Sequence, residues 1–329
     1  MTRQTTLTDR FGRQIEYLRL SVTDQCDLRC TYCLPKGFKD FQEPTEWLNF
    51  DEIERIIRAF GALGTRRIRI TGGEPLVRKN LAELAGRLGN LPGIDDLSLS
   101  TNATRLAKQA AGLQAAGISR INVSLDTLKS DRFKSLTGGK LSKVMDGLMT
   151  AKDTGFKPIK INTVALKGIN DDEFEDMVEF CIEHDFTLRF IETMPMGSTG
   201  REATNHYLNL QTVKARLAKR FDLIPGMMPG GGPARYVQVA GTDLRIGFIT
   251  PISQHFCDTC NRVRLSVDGT LYMCLGQDEQ YPLRDFLRAG CSDEELQQHI
   301  RNAIQLKPER HEFDSNPQKI VRFMSKTGG

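Results

Sequence analysis

The chain has 329 residues, 26% of them charged and 39% hydrophobic, with a formal net charge of +4. That length and composition fit a globular protein with one large core and a smaller companion. The charge is too near neutral to point to nucleic acid, and no run approaches the roughly 18 apolar residues of a membrane span. The start, Met1-Thr2-Arg3-Gln4-Thr5-Thr6, lacks the apolar core of a signal peptide, so a cytoplasmic protein is expected.

From residue 14 to 193, short β-like runs alternate with helical patterns. Strands are expected at 16–22, 67–71, 96–101, 120–126, 159–166 and 187–193, with helices such as 51–63, 142–154 and 171–184 between them. Asp51 followed by Glu54 reads as a helix start, and Gly155 as a helix stop. Six β–α units in series predict an α/β fold built on a parallel sheet, here a partial, incomplete TIM-type (βα)6 barrel. The Gly/Ser-rich stretch 196–200 reads as a loop, 210–220 as a helix and the Gly/Pro-dense 226–233 as a linker. Strands at 236–240 and 244–249 then open a smaller C-terminal α+β domain closing the barrel mouth. The expected division is 1–225 and 226–329.

Side chains of a strand alternate between faces. Tyr17, Arg19 and Ser21 share one face, as do Arg67, Arg69 and Thr71; Ser98, Ser100 and Asn102; Asn122, Ser124 and Asp126; and Lys160 and Asn162. The intervening residues are Leu, Ile and Val and belong against the helices. A polar inner face bearing Arg19, Arg69 and Lys160 predicts a cavity for a polar, anionic ligand; a sheet with one face in water is the plainer alternative.

Six of the eight cysteines fall into two groups of three, a pattern that in a reducing compartment points to metal or redox chemistry. The first, Cys26, Cys30 and Cys33, is a C-x3-C-x2-C. Zinc sites ordinarily offer four ligands, whereas three thiolates can hold three irons of a four-iron cluster and leave one open for a small molecule. The second, Cys257, Cys260 and Cys274, again supplies three. A second cluster is the economical reading, and a zinc site completed by His255 the alternative. Arg262 and Arg264 lie two apart, on one face of an extended segment, and suit phosphate oxygens. There is no G-x4-G-K-[ST], so no backbone phosphate loop is expected.

C-x3-C-x2-C with Tyr32 before the last cysteine resembles the signature of the radical S-adenosylmethionine (SAM) superfamily. Thr71-Gly72-Gly73-Glu74-Pro75, Val123-Ser124-Leu125-Asp126 and Met194-Pro195 resemble its SAM-binding segments. Within it, 17–21, 26–35, 69–75, 122–126, 160–162, 190–197 and 256–265 are similar to the GTP 3′,8-cyclase family of molybdenum cofactor synthesis. The resemblance implies two [4Fe-4S] clusters, on Cys26, Cys30 and Cys33 and on Cys257, Cys260 and Cys274. It implies SAM on Tyr32, Gly73, Glu74, Ser124 and Met194. GTP would lie on Arg19, Arg69, Ser100, Lys160, Arg262, Val263 and Arg264, with Arg262 and Arg264 as the catalytic pair.

The implied reaction takes a hydrogen from ribose C3′ of GTP with a SAM-derived 5′-deoxyadenosyl radical. C3′ then bonds to guanine C8, and reduction gives 3′,8-cyclo-7,8-dihydro-GTP. The resemblance further implies a flavodoxin or ferredoxin as electron donor, hand-over of the product to cyclic pyranopterin monophosphate synthase, and a homodimer. Ser100-Thr101-Asn102-Ala103 departs from the family's Thr-Thr-Asn-Gly, and Ala103 for glycine suggests a slightly different turn. Gly328-Gly329 matches a family tail that reaches the active site. Two rival readings remain: another radical SAM enzyme with an auxiliary cluster acting on peptide or RNA, and a non-catalytic zinc-binding module.

Overall fold

A computed structural model describes residues 6–328. Residues 1–5 and Gly329 lie outside the described residues. The first six strands are β1 (Tyr17–Ser21), β2 (Arg67–Thr71), β3 (Asp96–Thr101), β4 (Arg120–Ser124), β5 (Ile159–Val164) and β6 (Thr187–Ile191). Between them run α1 (Phe50–Ala62), α2 (Leu81–Gly89), α3 (Ala110–Ala115), α4 (Ser130–Thr137), α5 (Leu141–Thr154) and α6 (Phe174–His184). Each strand sits where the period-two pattern predicts it, within two residues at either end.

The helix starts were less legible. The N-cap of α1 is Asn49, not Asp51: the Asn49 side chain accepts from Glu52 N while the Glu52 carboxylate accepts from Asn49 N. Asn49 satisfies an otherwise unpaired donor of the first turn, a contribution of about 1 kcal/mol. Gly155 ends α5 as expected, with φ of 93°.

The remaining elements are α7 (Gly197–Ala203), α8 (Leu210–Leu217), β7 (Leu223–Gly226), β8 (Arg235–Val239), β9 (Arg245–Ile249), β10 (Arg262–Leu265), β11 (Thr270–Tyr272), β12 (Gln280–Pro282), α9 (Leu283–Arg288), α10 (Asp293–Gln305) and α11 (Met324–Thr327). The stretch expected as a loop at 196–200 is thus mostly helical. Gly200 turns tightly over the preceding chain, where a Cβ would lie 2.6 Å from Met194 O. Close tertiary packing here overrides the weak helix propensity of Gly and Ser.

Among the described residues the strands form one sheet in the order β12-β11-β10-β1-β2-β3-β4-β5-β6-β9-β8-β7. β1 to β6 pair in parallel, β10 joins β1 in parallel at one side, and β9 joins β6 in parallel at the other. The outer strands are antiparallel, and β12 and β7 are not neighbours, so the barrel stays open. The C-terminal α+β region therefore extends the sheet at both edges. Leu18, Leu20, Ile68, Ile70, Leu99 and Val123 face the helices and are fully buried. No helix among the described residues is long and apolar enough to cross a membrane.

Candidate active site

Two adjoining cavities open on the polar face of the sheet, and each holds one cysteine triplet. Cys26, Cys30 and Cys33 line the first together with Tyr32, Gly73 and Ser124. Cys257, Cys260 and Cys274 line the second together with Arg19, Arg69 and Arg264. Asn162, Ile191 and Met194 line both, so the two spaces share a wall.

The first triplet lies on the loop that follows β1. The Gly72-Gly73 pair shapes that loop in a way the sequence did not reveal. Gly72 has φ of 153°, and a Cβ there would lie 2.3 Å from Thr23 O. At Gly73 a Cβ would lie 2.3 Å from Gln25 O. Gly73 N donates to Thr23 O at 2.7 Å and Glu74 N to Gln25 O at 2.8 Å. The missing side chains thus let the turn after β2 press against the backbone leading into Cys26.

Glu74 is fully buried and does not line the cavity. Thr101 Oγ1 and Asn102 N each donate to its carboxylate at 2.6 Å, and Leu76 N at 3.0 Å. Burial pushes its carboxyl up to about 7 despite these three donors. Tyr32 donates to Asp126 Oδ2 at 2.6 Å, and burial raises Asp126 to about 6. Burial also pushes the Cys26 and Cys33 thiols up to about 12.

The second cavity is cationic because of strand register. Arg264 on β10, Arg19 on β1 and Arg69 on β2 occupy one register across three adjacent parallel strands. Arg262 stacks on Phe256 with its guanidinium 5.3 Å from the ring centroid. Arg19 Nε, Arg189 Nε and Arg262 Nε on this cavity, Asn162 Oδ1 on the shared wall and Ser100 Oγ on the first cavity are buried without a hydrogen-bond partner among the described residues. Such groups cost about 1–3 kcal/mol each unless a ligand satisfies them.

Lys160 is buried on the same face, in register with Asn122 and off the cavity lining, and is pushed down to about 7 by burial and then by Arg189, Arg120 and Arg69. Val263 points to the opposite face of β10 and packs in the core, so its side chain does not reach the cavity. Arg189, which the sequence reading passed over, lines the second cavity and donates to Asn122 Oδ1. It was detectable, since Thr187, Arg189 and Ile191 continue the alternation that exposed Arg19 and Arg69.

At the site of Ala103 the turn adopts φ of 61°, the left-handed conformation glycine prefers. Arg264 Nη1 donates to Gly328 O at 2.5 Å, which brings the C-terminal segment to this cavity. Cys181 is buried in the core on α6, and Cys291 is half-buried, packed at the edge of that core.

A radical SAM protein is what this open parallel barrel and its three-cysteine loop define. The Radical SAM superfamily profile matches residues 20–181, and that of Molybdenum Cofactor Synthesis C matches residues 186–313. The chain is 48% identical to the GTP 3′,8-cyclase of Ectopseudomonas mendocina (strain ymp), over 98% of both proteins. It is 46% identical to that of Paracoccus denitrificans (strain Pd 1222), over 98% of this chain and 96% of the relative. With likeness of this extent, the chain belongs to the GTP 3′,8-cyclase family.

Two solved structures of Streptococcus suis SuiB share the fold. The complex with the precursor peptide SuiA has a TM-score of 0.59 at 16% identity, covering 93% of this chain and 67% of that one. The complex with S-adenosylmethionine has a TM-score of 0.56 at 17% identity and covers 84% of this chain, which spans 62% of SuiB's length.

Proposed function

We propose that the protein is a GTP 3′,8-cyclase, a lyase that performs a step of molybdenum cofactor biosynthesis. A hydrogen atom leaves ribose C3′ of GTP, C3′ bonds to guanine C8, and one electron and one proton reduce the resulting ring radical to 3′,8-cyclo-7,8-dihydro-GTP. Family membership supplies the reaction. The observation that carries its assignment to this site is the row Arg264–Arg19–Arg69 beside the second triplet. Like charges on neighbouring strands destabilise a sheet unless an anion lies between them.

The fold carries a SAM and [4Fe-4S] site, and the residues of the first cavity suit it. Among the described residues no three metal-ligating side chains close on a single ion. Cys26, Cys30 and Cys33 line one cavity together, which is the donor set a thiolate-held iron–sulfur cluster needs. In this reading Cys26, Cys30 and Cys33 hold the cluster, and Tyr32, Gly73, Ser124 and Met194 face SAM. Glu74 shapes the loop without touching the ligand. When bound, cluster and SAM together supply the 5′-deoxyadenosyl radical. The chain's own task is to hold ribose C3′ toward the first cavity and exclude water and side reactions.

The triphosphate lies along Arg19, Arg69, Arg262 and Arg264, with Arg189 on the same lining and Lys160 outside it. Ser100 and Thr101 both line the first cavity, and of the two Ser100 is the candidate contact where GTP approaches SAM, because its hydroxyl is unpaired and that of Thr101 is already donated to Glu74. A second [4Fe-4S] cluster on Cys257, Cys260 and Cys274 would face the guanine. Residues 1–225 then generate the radical and 226–329 carry the second cluster. The remaining proposals are a flavodoxin or ferredoxin donor, product transfer to cyclic pyranopterin monophosphate synthase, a homodimer and a cytoplasmic location.

The test is iron and sulfide content of protein purified without oxygen, then incubation with SAM, dithionite and GTP. About eight irons per chain, with 5′-deoxyadenosine formed only when GTP is present, supports two clusters and the substrate together. About four irons overturns the second cluster, and deoxyadenosine formation indifferent to GTP overturns the substrate.

A further inference from the structure

Lys307 is 2% exposed, immediately beyond the C-terminal end of α10. Its ammonium donates to Met273 O at 2.8 Å and Arg262 O at 3.0 Å, and lies 3.7 Å from Cys260 Sγ. It forms no ion pair with a carboxylate among the described residues; its potential anionic partner in contact is the Cys260 sulfur. A buried ammonium costs several kcal/mol unless an anion pairs with it, and two carbonyl dipoles do not neutralise it.

The three contacts have a consequence for geometry. Arg262 begins β10 two residues after Cys260, and Met273 immediately precedes Cys274. One ammonium therefore ties together a cysteine sulfur, the strand that carries Arg262 and Arg264, and the backbone that delivers another cysteine. At the first triplet the described contacts to Cys26 Sγ are neutral, from Leu28 N at 3.4 Å and Asn102 Nδ2 at 3.8 Å, and the nearby cation, Arg29, donates to Cys26 O at 2.6 Å rather than to a sulfur.

We propose that Lys307 is the positioning residue of the second cysteine triplet, holding Cys260 and Cys274 in register with Arg262 and supplying the positive charge an anionic iron–sulfur group needs there. This rests on the reading of a second cluster given above. Net charge and hydrogen bonds to the sulfurs set the potential of such a cluster, so the role has an electrochemical signature. Arg13, ion-paired to Asp9, separately donates to Cys257 O at 2.9 Å, which anchors that end of the loop independently of Lys307.

The experiment compares the wild type, Lys307→Met and Lys307→Arg as full chains purified anaerobically. Iron and sulfide are counted, and each cluster is titrated electrochemically under paramagnetic resonance, with the first-cluster signal reporting the fold. In Lys307→Met the first cluster should keep its potential. The second should be lost or become at least tenfold harder to reduce, 59 mV for a one-electron couple. Lys307→Arg should move it back toward the wild type. Both clusters unchanged in Lys307→Met overturns the proposal, as does loss of both clusters in both variants, which marks a purely structural residue. A wild type with one cluster signal and about four irons removes the second-cluster reading, and the proposal with it.

Discussion

Arg19 on β1 and Arg264 on β10 stand directly opposite each other on neighbouring parallel strands, with Arg69 on the far side of Arg19. Removing one member leaves the SAM cavity intact, because Arg262 and Arg264 do not line it. Arg262→Ala and Arg264→Ala should each lower cyclisation by at least about 100-fold, the scale of losing one charge-stabilising donor. SAM cleavage should persist. Product formation and 5′-deoxyadenosine are measured in parallel; full cyclase activity in either variant contradicts the assignment.

Lys160 titrates near neutrality before substrate arrives, since burial and Arg189, Arg120 and Arg69 hold it down to about 7. A triphosphate favours its protonated form. GTP binding should therefore take up protons at pH 7.5, and affinity should fall as pH rises above 7. Calorimetry in buffers of differing ionisation enthalpy reads the uptake directly. Lys160→Met should reduce it, and equal uptake in variant and wild type excludes Lys160 as the source.

Glu74 provides a stability prediction with a definite sign. Its folded carboxyl sits at about 7 against an ordinary value of 4.5, so the folded state binds the extra proton between those values. Stability is then lost as pH rises from 4.5 through 7, by about 3 kcal/mol at 1.36 kcal/mol per pKa unit. Glu74→Gln should flatten this slope. Urea midpoints at pH 5 and pH 8 give the comparison, and a variant retaining the wild-type slope assigns the effect elsewhere.

Gly73→Ala should act through packing. The new methyl would meet Gln25 O, and overfilling of this kind costs about 1–3 kcal/mol. Because Gln25 precedes Cys26, the variant should also retain less iron at the first triplet. A lowered melting temperature with unchanged iron would separate the two effects and confine Gly73 to stability.

By itself the sequence determined the elements and their faces. Alternation of Leu and Ile with Arg and Ser places Arg19 and Arg69 inside and Leu18 and Ile68 against helices, because strand periodicity is a local property. The same rule would have found Arg189 had it been carried into the sixth strand. The triplets were equally legible, since metal chemistry writes itself in spacing.

Only the tertiary structure decided who stands beside whom. Glu74 reads as a ligand contact in its motif, but Thr101 and Asn102 from the next strand claim its carboxylate. Gly73 lines the first cavity as its motif suggests, but its missing side chain also serves to let Gln25 O approach. Arg264 becomes the neighbour of Arg19 because β10 pairs with β1 from the other end of the chain, and Lys307 acquires its role only once α10 delivers it beneath β10. Strand partners and buried charge pairs are set by long-range burial, which leaves no periodic trace in the residues that carry it.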